Sequence, residues 1–191
     1  DGAFVRSPEE AEKLARLMVS VGRSAGRKVC AAVTCMDSPL GDSVGCNAEV
    51  REAIEVLKGK KNALARLSLF HCRKLCALAL GISEEEAQRR TEEAVASGAA
   101  LRKLAEIVAA QGGDARAVYD ETLLPLAEEV REIRAERGGY LHVSALGLGK
   151  ANVLLGGGRR RAGDAVDHAV GILLQRRAGE KESVEKHRRI D

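Results

Sequence analysis

The sequence is poor in aromatic residues, in long apolar runs and in net charge. Of its 191 residues, two are Phe, two are Tyr and none is Trp. A nucleic-acid groove built on base stacking needs aromatic side chains along a basic surface, so we expect no nucleic-acid partner. No stretch approaches the roughly 18 uninterrupted apolar residues of a membrane-spanning helix, so we expect no membrane insertion. The 31 Lys and Arg nearly balance the 28 Asp and Glu, which leaves a formal net charge of +3.

The five cysteines are odd in number and include no CxxC pair. Together with the lack of a signal-peptide pattern, this usage favours a reducing, cytoplasmic location. Cys72 and Cys76 stand close to His71 on an apolar stretch, where two interpretations are open: ligands of a metal site, or small apolar side chains. We favour the apolar interpretation, because three clustered ligands without a fourth are weak evidence for a metal.

Helix and strand patterns alternate in the first 60 residues. The run Ser7–Glu10 combines a hydroxyl cap, a Pro and a Glu at capping-box spacing, so it predicts a helix start, and apolar residues spaced by three and four continue that helix to about Gly22. Val29–Val33 is a continuous apolar run typical of a parallel strand covered on both faces, and Asn47 is predicted to cap the next helix. This order indicates a βαβ unit whose first strand lies before residue 1, and we expect the chain to be part of a longer protein.

The rest of the chain predicts a helical layer followed by a mixed segment. The fold class we expect is therefore α/β, with part of a mixed, largely parallel sheet in residues 1–124 and a small α+β domain in residues 125–191. Helices are predicted at 64–80, from Ser83 onward, at 99–110 and at 146–155, and strands at Val130–Ala135, Tyr140–Ala145 and Val170–Leu174.

The loop after the first strand is the expected place for chemistry, because binding sites of open α/β sheets lie outside the carboxyl ends of the strands. Residues 34–41 read TCMDSPLG, residues 44–45 read VG, and residues 49–55 read EVREAIE. This stretch resembles the segment after the central strand in pyrimidine-nucleoside phosphorylases and thymidine phosphorylases. Further matching pieces follow in the family's order: GAF at 2–4, SGAA at 97–100, AAQGGD at 109–114 and the glycine-rich run at 155–171.

The resemblance covers nearly the whole chain and implies the C-terminal half of such an enzyme. Residues 1–124 would be the second half of its phosphate-binding α/β domain, and residues 125–191 most of its C-terminal domain. The family cleaves a pyrimidine nucleoside with phosphate, giving the free base and a pentose 1-phosphate, and its members are homodimers. Its phosphate-binding and base-binding motifs precede the GAF turn and are not among these 191 residues, so the resemblance implies no catalytic residues here and a chain that is inactive alone.

The resemblance also implies one side of a cation site. The backbone carbonyls of Leu40 and Ser43 and the carboxylate of Glu52 would ligate a monovalent cation, namely potassium. Oxygen ligands suit hard cations, and a turn-rich loop can direct carbonyls inward while a helix supplies one formal charge. The alternative is that Glu52 is a solvated helix residue.

Phe4 is the one substrate-contact residue that the resemblance implies, because the family's turn sets an aromatic ring against the pyrimidine. The alternative is that Phe4 belongs to the core. Cys35 and Cys46 depart from the family pattern, in which Asp and Asn stand in this loop. These departures motivate a second hypothesis for the whole chain, a non-catalytic module of the same fold.

The run from Gly156 to Arg161 combines three glycines with three arginines. Two interpretations are open: a nest of backbone N–H groups for phosphate, or a solvated basic turn. We favour the solvated turn.

Overall fold

The computed structural model describes residues 5, 7–134 and 141–175, together with the backbone of 188–190. Helices dominate, and short strands lie between and after them. In chain order the elements are α1 (Pro8–Ser24), β1 (Ala31–Val33), β2 (Ser43–Val44), α2 (Cys46–Leu57), α3 (Ala63–Leu80), α4 (Glu84–Ala96), α5 (Ala99–Ala110), the 3₁₀ turns Ala115–Val118 and Glu121–Leu123, α6 (Ala145–Asn152) with a π turn at Val153–Gly157, β3 (Ile172–Leu173) and β4 (Arg188–Ile190). Within these described ranges, every helix is too short or too polar to cross a bilayer.

Serine caps fix where two helices begin. The Ser7 Oγ accepts the backbone N–H of Glu10 at 3.1 Å, and the Ser83 Oγ accepts that of Glu86 at 3.2 Å. Each bond satisfies one of the N–H groups that the first helical turn leaves without a partner. The predicted starts of α1 and α4 are thereby confirmed.

The start of α2 differs from the prediction, because Gly45 and not Asn47 is the cap. Gly45 has φ +122°, a conformation that favours glycine, and a Cβ there would lie 2.5 Å from the carbonyl oxygen of Val170. The Glu49 carboxylate accepts the Gly45 N–H at 3.0 Å. Asn47 instead donates its side-chain amide to the carbonyl of Pro125 at 2.8 Å.

The core is built largely from small side chains and is centred on α2. Among the described residues, Ile54 is the largest side chain that is fully buried, and Glu52 is the buried charged one. The other buried apolar residues are Ala15, Val19, Ala48, Ala65, Ala87, Ala105 and Val118. Alanines allow close approach but bury little area, and α2 contributes Ile54, the largest fully buried side chain of the described residues.

Helix α3 is present as predicted, but it is not buried. It packs mainly against α4 along one side, and Ala65 is its one buried residue among those described. Leu75 is 62% exposed and Leu80 is 55% exposed. An apolar sequence predicts that a helix needs covering, yet the described part of the chain covers only one face of α3.

The described strands form two antiparallel ribbons. Strand β1 pairs with β4, with Ala31 opposite Ile190, and β2 pairs with β3, with Ser43 opposite Leu173. The predicted largely parallel sheet is therefore not seen among these strands. An apolar run indicates burial, whereas strand direction depends on which segment lies alongside, and β1 meets a strand from the far end of the chain.

Two of the predicted strands are wrong over their described residues. Residues 128–134 have no regular structure, with Val130 at 80% and Ile133 at 94% exposure, because no partner strand lies beside them in the described part of the chain. At the second position, the Ser144 Oγ accepts the Gly147 N–H at 3.0 Å and starts α6 instead. The strand predicted at 170–174 is confirmed as β3. The domain division at residue 124 stays a prediction.

Candidate functional site

The loop between β1 and α2 folds back over the second turn of α2. There, the Glu52 Oε1 atom accepts the backbone N–H of Asp42 at 2.8 Å, and the Oε2 atom accepts that of Ser43 at 2.9 Å. The carboxylate thus binds two consecutive amides of the loop. The Glu52 side chain therefore holds this loop against α2.

Glu52 is buried, with 3% of its surface exposed. A buried carboxylate is costly unless hydrogen bonds replace its water, and here two backbone amides and the side-chain amide of Asn62 do so. Charge-assisted bonds of this kind are shorter and stronger than neutral ones. The alternative that Glu52 is a solvated helix residue is therefore wrong.

Asn62 is a member of the site that the sequence interpretation missed. Its Nδ2 donates to Glu52 Oε1 at 2.7 Å and to Asp42 Oδ2 at 3.3 Å, and its Oδ1 accepts the Ala65 N–H at 2.9 Å as the cap of α3. An Asn directly before an apolar helical run is a readable cap signal. Its contact with Glu52 is not readable, because that contact depends on how α2 and α3 pack.

Gly41 lets the loop approach the carboxylate closely. A Cβ at this position would lie 2.5 Å from Glu52 Oε2 and 3.0 Å from the Glu52 carboxyl carbon. Any other residue would push against the buried carboxylate. The glycine of the PLG motif is therefore required here by close approach, and not by a left-handed turn.

Two of the three predicted potassium ligands are brought into contact. Ser43 and Glu52 are joined by the bond already described, and Leu40 precedes Gly41 in the same loop, with its side chain 45% exposed. The Glu52 carboxylate is an oxygen ligand of the kind that hard cations take, whereas Ser43 reaches it through its N–H. The role of the Leu40 and Ser43 carbonyls and of Glu52 as cation ligands stays a prediction. Phe4, the predicted substrate contact, lies outside the described residues.

Arg51, the neighbour of Glu52 on α2, binds a different segment. Its Nε donates to the carbonyl of Leu124 at 2.7 Å, and its Nη2 donates to the carbonyl of Glu121 at 2.6 Å. Consecutive helical side chains diverge by about 100°, so Arg51 and Glu52 point to different sides of the same helix. Helix α2 thereby connects the loop before it, through Asp42 and Ser43, to residues 121–124, which precede the predicted domain boundary.

Cys72 and Cys76 belong to no metal-binding group in the part of the chain that the structure describes, where no three His, Cys, Asp or Glu side chains converge. The His71 Nδ1 lies 2.9 Å from the Leu67 carbonyl oxygen. All five cysteines are free thiols, and Cys72 is exposed while Cys76 is half-buried. The interpretation of Cys72 as a buried apolar residue is therefore wrong.

The glycine-arginine turn uses its backbone amides internally. The N–H groups of Arg160 and Arg161 donate to the same Asp164 carboxylate oxygen, at 3.0 and 2.9 Å. A side-chain anion already occupies the position that a phosphate would take. This geometry supports the structural interpretation of the turn.

An open, largely apolar groove lies beside the candidate loop. Met36 lines it from the loop, and the remaining lining comes from α6 and the turn after it, including Lys150 and Arg160. A ligand in this groove would therefore contact both the loop and the C-terminal segment.

Comparisons with known proteins identify similar sequences in one family. The family model for the pyrimidine nucleoside phosphorylase C-terminal domain matches residues 141–190. The pyrimidine-nucleoside phosphorylase of Geobacillus stearothermophilus is 37% identical over 182 residues, which cover 94% of this chain and 42% of that protein. Those of Bacillus subtilis and of Staphylococcus aureus strain USA300 are each 37% identical over 183 residues, with the same coverage.

The chain thus spans less than half the length of the relatives it matches, and the matched region includes their C-terminal domain. The resemblance inferred from the loop, the helix start and the glycine-rich run is confirmed. Over 94% of its length, the chain is homologous to the C-terminal part of pyrimidine-nucleoside phosphorylases.

Proposed function

We propose that this chain supplies the cation-binding side of the active site of a pyrimidine-nucleoside phosphorylase. The reaction would take a pyrimidine nucleoside and phosphate to the free base and a pentose 1-phosphate. The chain alone is inactive, because the groups that the family uses to hold phosphate and base are not among its 191 residues. In the longer protein, β1 would join a parallel sheet, residues 125–191 would form a separate domain, and the enzyme would act as a cytoplasmic homodimer.

The observation that supports this proposal is that the buried Glu52 carboxylate accepts hydrogen bonds from the backbone amides of Asp42 and Ser43. A negative charge held at 3% exposure directs a strong local field into the loop. Potassium, when bound, would supply positive charge where the phosphate is held, with Leu40 and Ser43 offering carbonyl oxygens. Glu52 neutralises that charge and fixes the loop from which the carbonyls project.

Helix α2 supplies the rigid support that such a site needs. Ile54, two residues after Glu52, is 1% exposed and anchors the helix in the core. On a different side of the helix, Arg51 donates to the carbonyls of Glu121 and Leu124. Sites built on packed helices hold their geometry better than sites built on free loops.

The proposed potassium site is tested by thermal unfolding of this chain in KCl and in NaCl at one fixed ionic strength. A ligand that binds only the folded state stabilises it by mass action, so we expect a higher midpoint in KCl for the natural sequence. Glu52→Gln should remove the difference between the two salts. Glu55→Gln is the matched control, because Glu55 lies one turn away on α2 with a side chain 41% exposed. An equal unfolding midpoint in the two salts for the natural sequence would overturn the proposed potassium site.

A second candidate function is the non-catalytic module. One specific observation favours it: Glu52 already accepts three N–H groups from described residues, so it can brace the loop without any ion. Cys35 and Cys46 in the loop point in the same direction. Under this alternative, KCl has no specific effect, and adding the missing part of a relative restores no phosphorolysis.

A further inference from the structure

Asn62 connects the start of α3 to the carboxylate at the centre of the candidate site. Its Oδ1 faces the Ala65 N–H, a donor, and its Nδ2 faces the oxygens of Glu52 and Asp42, which are acceptors. A flipped amide would set donor against donor and acceptor against acceptor. The hydrogen-bond network therefore fixes the orientation of the amide.

The two oxygens of Glu52 are not equivalent in this network. A carboxylate offers about four acceptor positions, two on each oxygen. Oε1 accepts from Asp42 N and from Asn62 Nδ2, whereas Oε2 accepts from Ser43 N. Among the described hydrogen bonds, Oε1 is saturated and Oε2 retains one position, on the atom that Gly41 approaches most closely.

We propose that Asn62 is a positioning residue that saturates Oε1 and leaves Oε2 as the carboxylate oxygen that meets the cation. The inference rests on the proposed function. Asn62 contacts no substrate; it acts through Glu52, and through Glu52 on the loop amides. Removing a group that hydrogen-bonds to a metal ligand typically lowers metal affinity by about tenfold to a hundredfold.

The test uses Asn62→Ser in the full chain. Serine is a good helix cap, so α3 keeps its start, but the amide that donates to Glu52 is lost. The first readout is hydrogen exchange at the backbone amides of Asp42 and Ser43, which should accelerate by about tenfold once the carboxylate can turn. The second readout is potassium affinity from KCl titration of the thermal midpoint, which should fall at least tenfold.

Ser83→Ala is the matched control. It removes the cap of α4, a bond of 3.2 Å to the Glu86 N–H, and should lower stability without changing either readout. This separates positioning from a general loss of helix stability.

The possible outcomes distinguish this inference from the proposed function. Unchanged exchange at Asp42 and Ser43 in Asn62→Ser would overturn the positioning role. Faster exchange with potassium affinity equal to that of the natural sequence would overturn the selection of Oε2. Faster exchange in a chain that never responds to potassium would support the positioning of the carboxylate and overturn the proposed potassium site.

Discussion

At the residue scale, Glu52 is distinctive because its carboxylate is buried among the described residues. Its side chain is 3% exposed and accepts hydrogen bonds from N–H groups of the loop and of Asn62, the cap of the next helix. Removing one partner of such a group is costly, because the remaining polar atoms stay buried without a bond. Residues that touch Glu52 should therefore be sensitive even when they bear no charge.

Among the residues that touch Glu52, Gly41 should be especially sensitive to substitution. In Gly41→Ala, the new Cβ would stand 2.5 Å from Glu52 Oε2, so either the loop or the carboxylate must move. Overpacking of this kind costs about 1–3 kcal/mol, and we expect a loss in that range in urea unfolding, together with a weaker response to potassium.

Gly149→Ala is its control. Gly149 lies in α6, and a Cβ there meets nothing within 4 Å, so replacing glycine by alanine in a helix should be neutral or stabilising by up to about 1 kcal/mol. Equal losses in the two variants would show that Gly41 has no special contact with the carboxylate.

The contact between two of the residues that the resemblance implies, Ser43 and Glu52, is present in the structure. The role of Leu40, Ser43 and Glu52 as cation ligands stays a prediction. The role of Asn62 could not be predicted in the same way, because its bond to Glu52 spans two helices. The burial of Glu52 likewise depends on the return of the loop over α2.

At the element scale, α2 joins two parts of the chain. Glu52 binds the loop before the helix, and Arg51 binds the carbonyls of Glu121 and Leu124. A guanidinium presents several donors in a rigid plane and so serves two carbonyls at once, whereas a lysine ammonium lacks this fixed geometry.

We expect Arg51→Lys to cost about 1–2 kcal/mol in the free energy of unfolding, because one part-buried hydrogen bond to a backbone carbonyl is lost. Arg66→Lys, at an exposed position of α3, should stay within about 0.5 kcal/mol. Urea unfolding of both variants measures the difference. Similar stabilities for the two would mean that the α2 connection contributes little.

Helix α4 should make stability depend on acid pH. Hydrogen bonds from the guanidiniums of Arg89 and Arg90 lower the pKa of Glu86 from its ordinary value of 4.5 to about 2. A carboxyl whose pKa is depressed by folding stabilises the folded state above its unfolded pKa, and this contribution is lost as the pH falls through the folded value.

The natural sequence should therefore exceed Glu86→Gln in stability by a constant amount above about pH 4.5. That margin should shrink steadily as the pH falls toward about 2. Urea midpoints measured across this range give the comparison. A margin that does not change with pH would contradict the role of Glu86, whose partly exposed position keeps the effect small.

Several elements were predictable because their signals are local. Serine caps and apolar spacing located α1 and α4, and α3 was found from its apolar run. The strands predicted at 130–135 and 140–145 failed over their described residues, because a strand needs a partner that composition does not reveal. At the second of these positions, the hydroxyl cap of Ser144 favoured a helix start, and this signal outweighed the apolar residues around it.

At the scale of the whole molecule, the chain combines a recognisable family sequence with a small core. Its large apolar residues stay exposed on α1, where Leu17 and Met18 are 61% and 62% exposed, and on α3. Strand direction and sheet size could not be predicted from the sequence, because they depend on segments lying far apart along the chain. The relatives are more than twice as long as the region matched here.

The most direct measurement is phosphorolysis of uridine by this chain, alone and mixed with the part of the Geobacillus stearothermophilus relative that precedes the matched region. We expect no free uracil from the chain alone, uracil release that depends on potassium in the mixture, and none when the chain carries Glu52→Gln. Uracil release that is indifferent to potassium and to Glu52→Gln, or a stable mixed complex that releases no uracil, would contradict the assignment of the cation site.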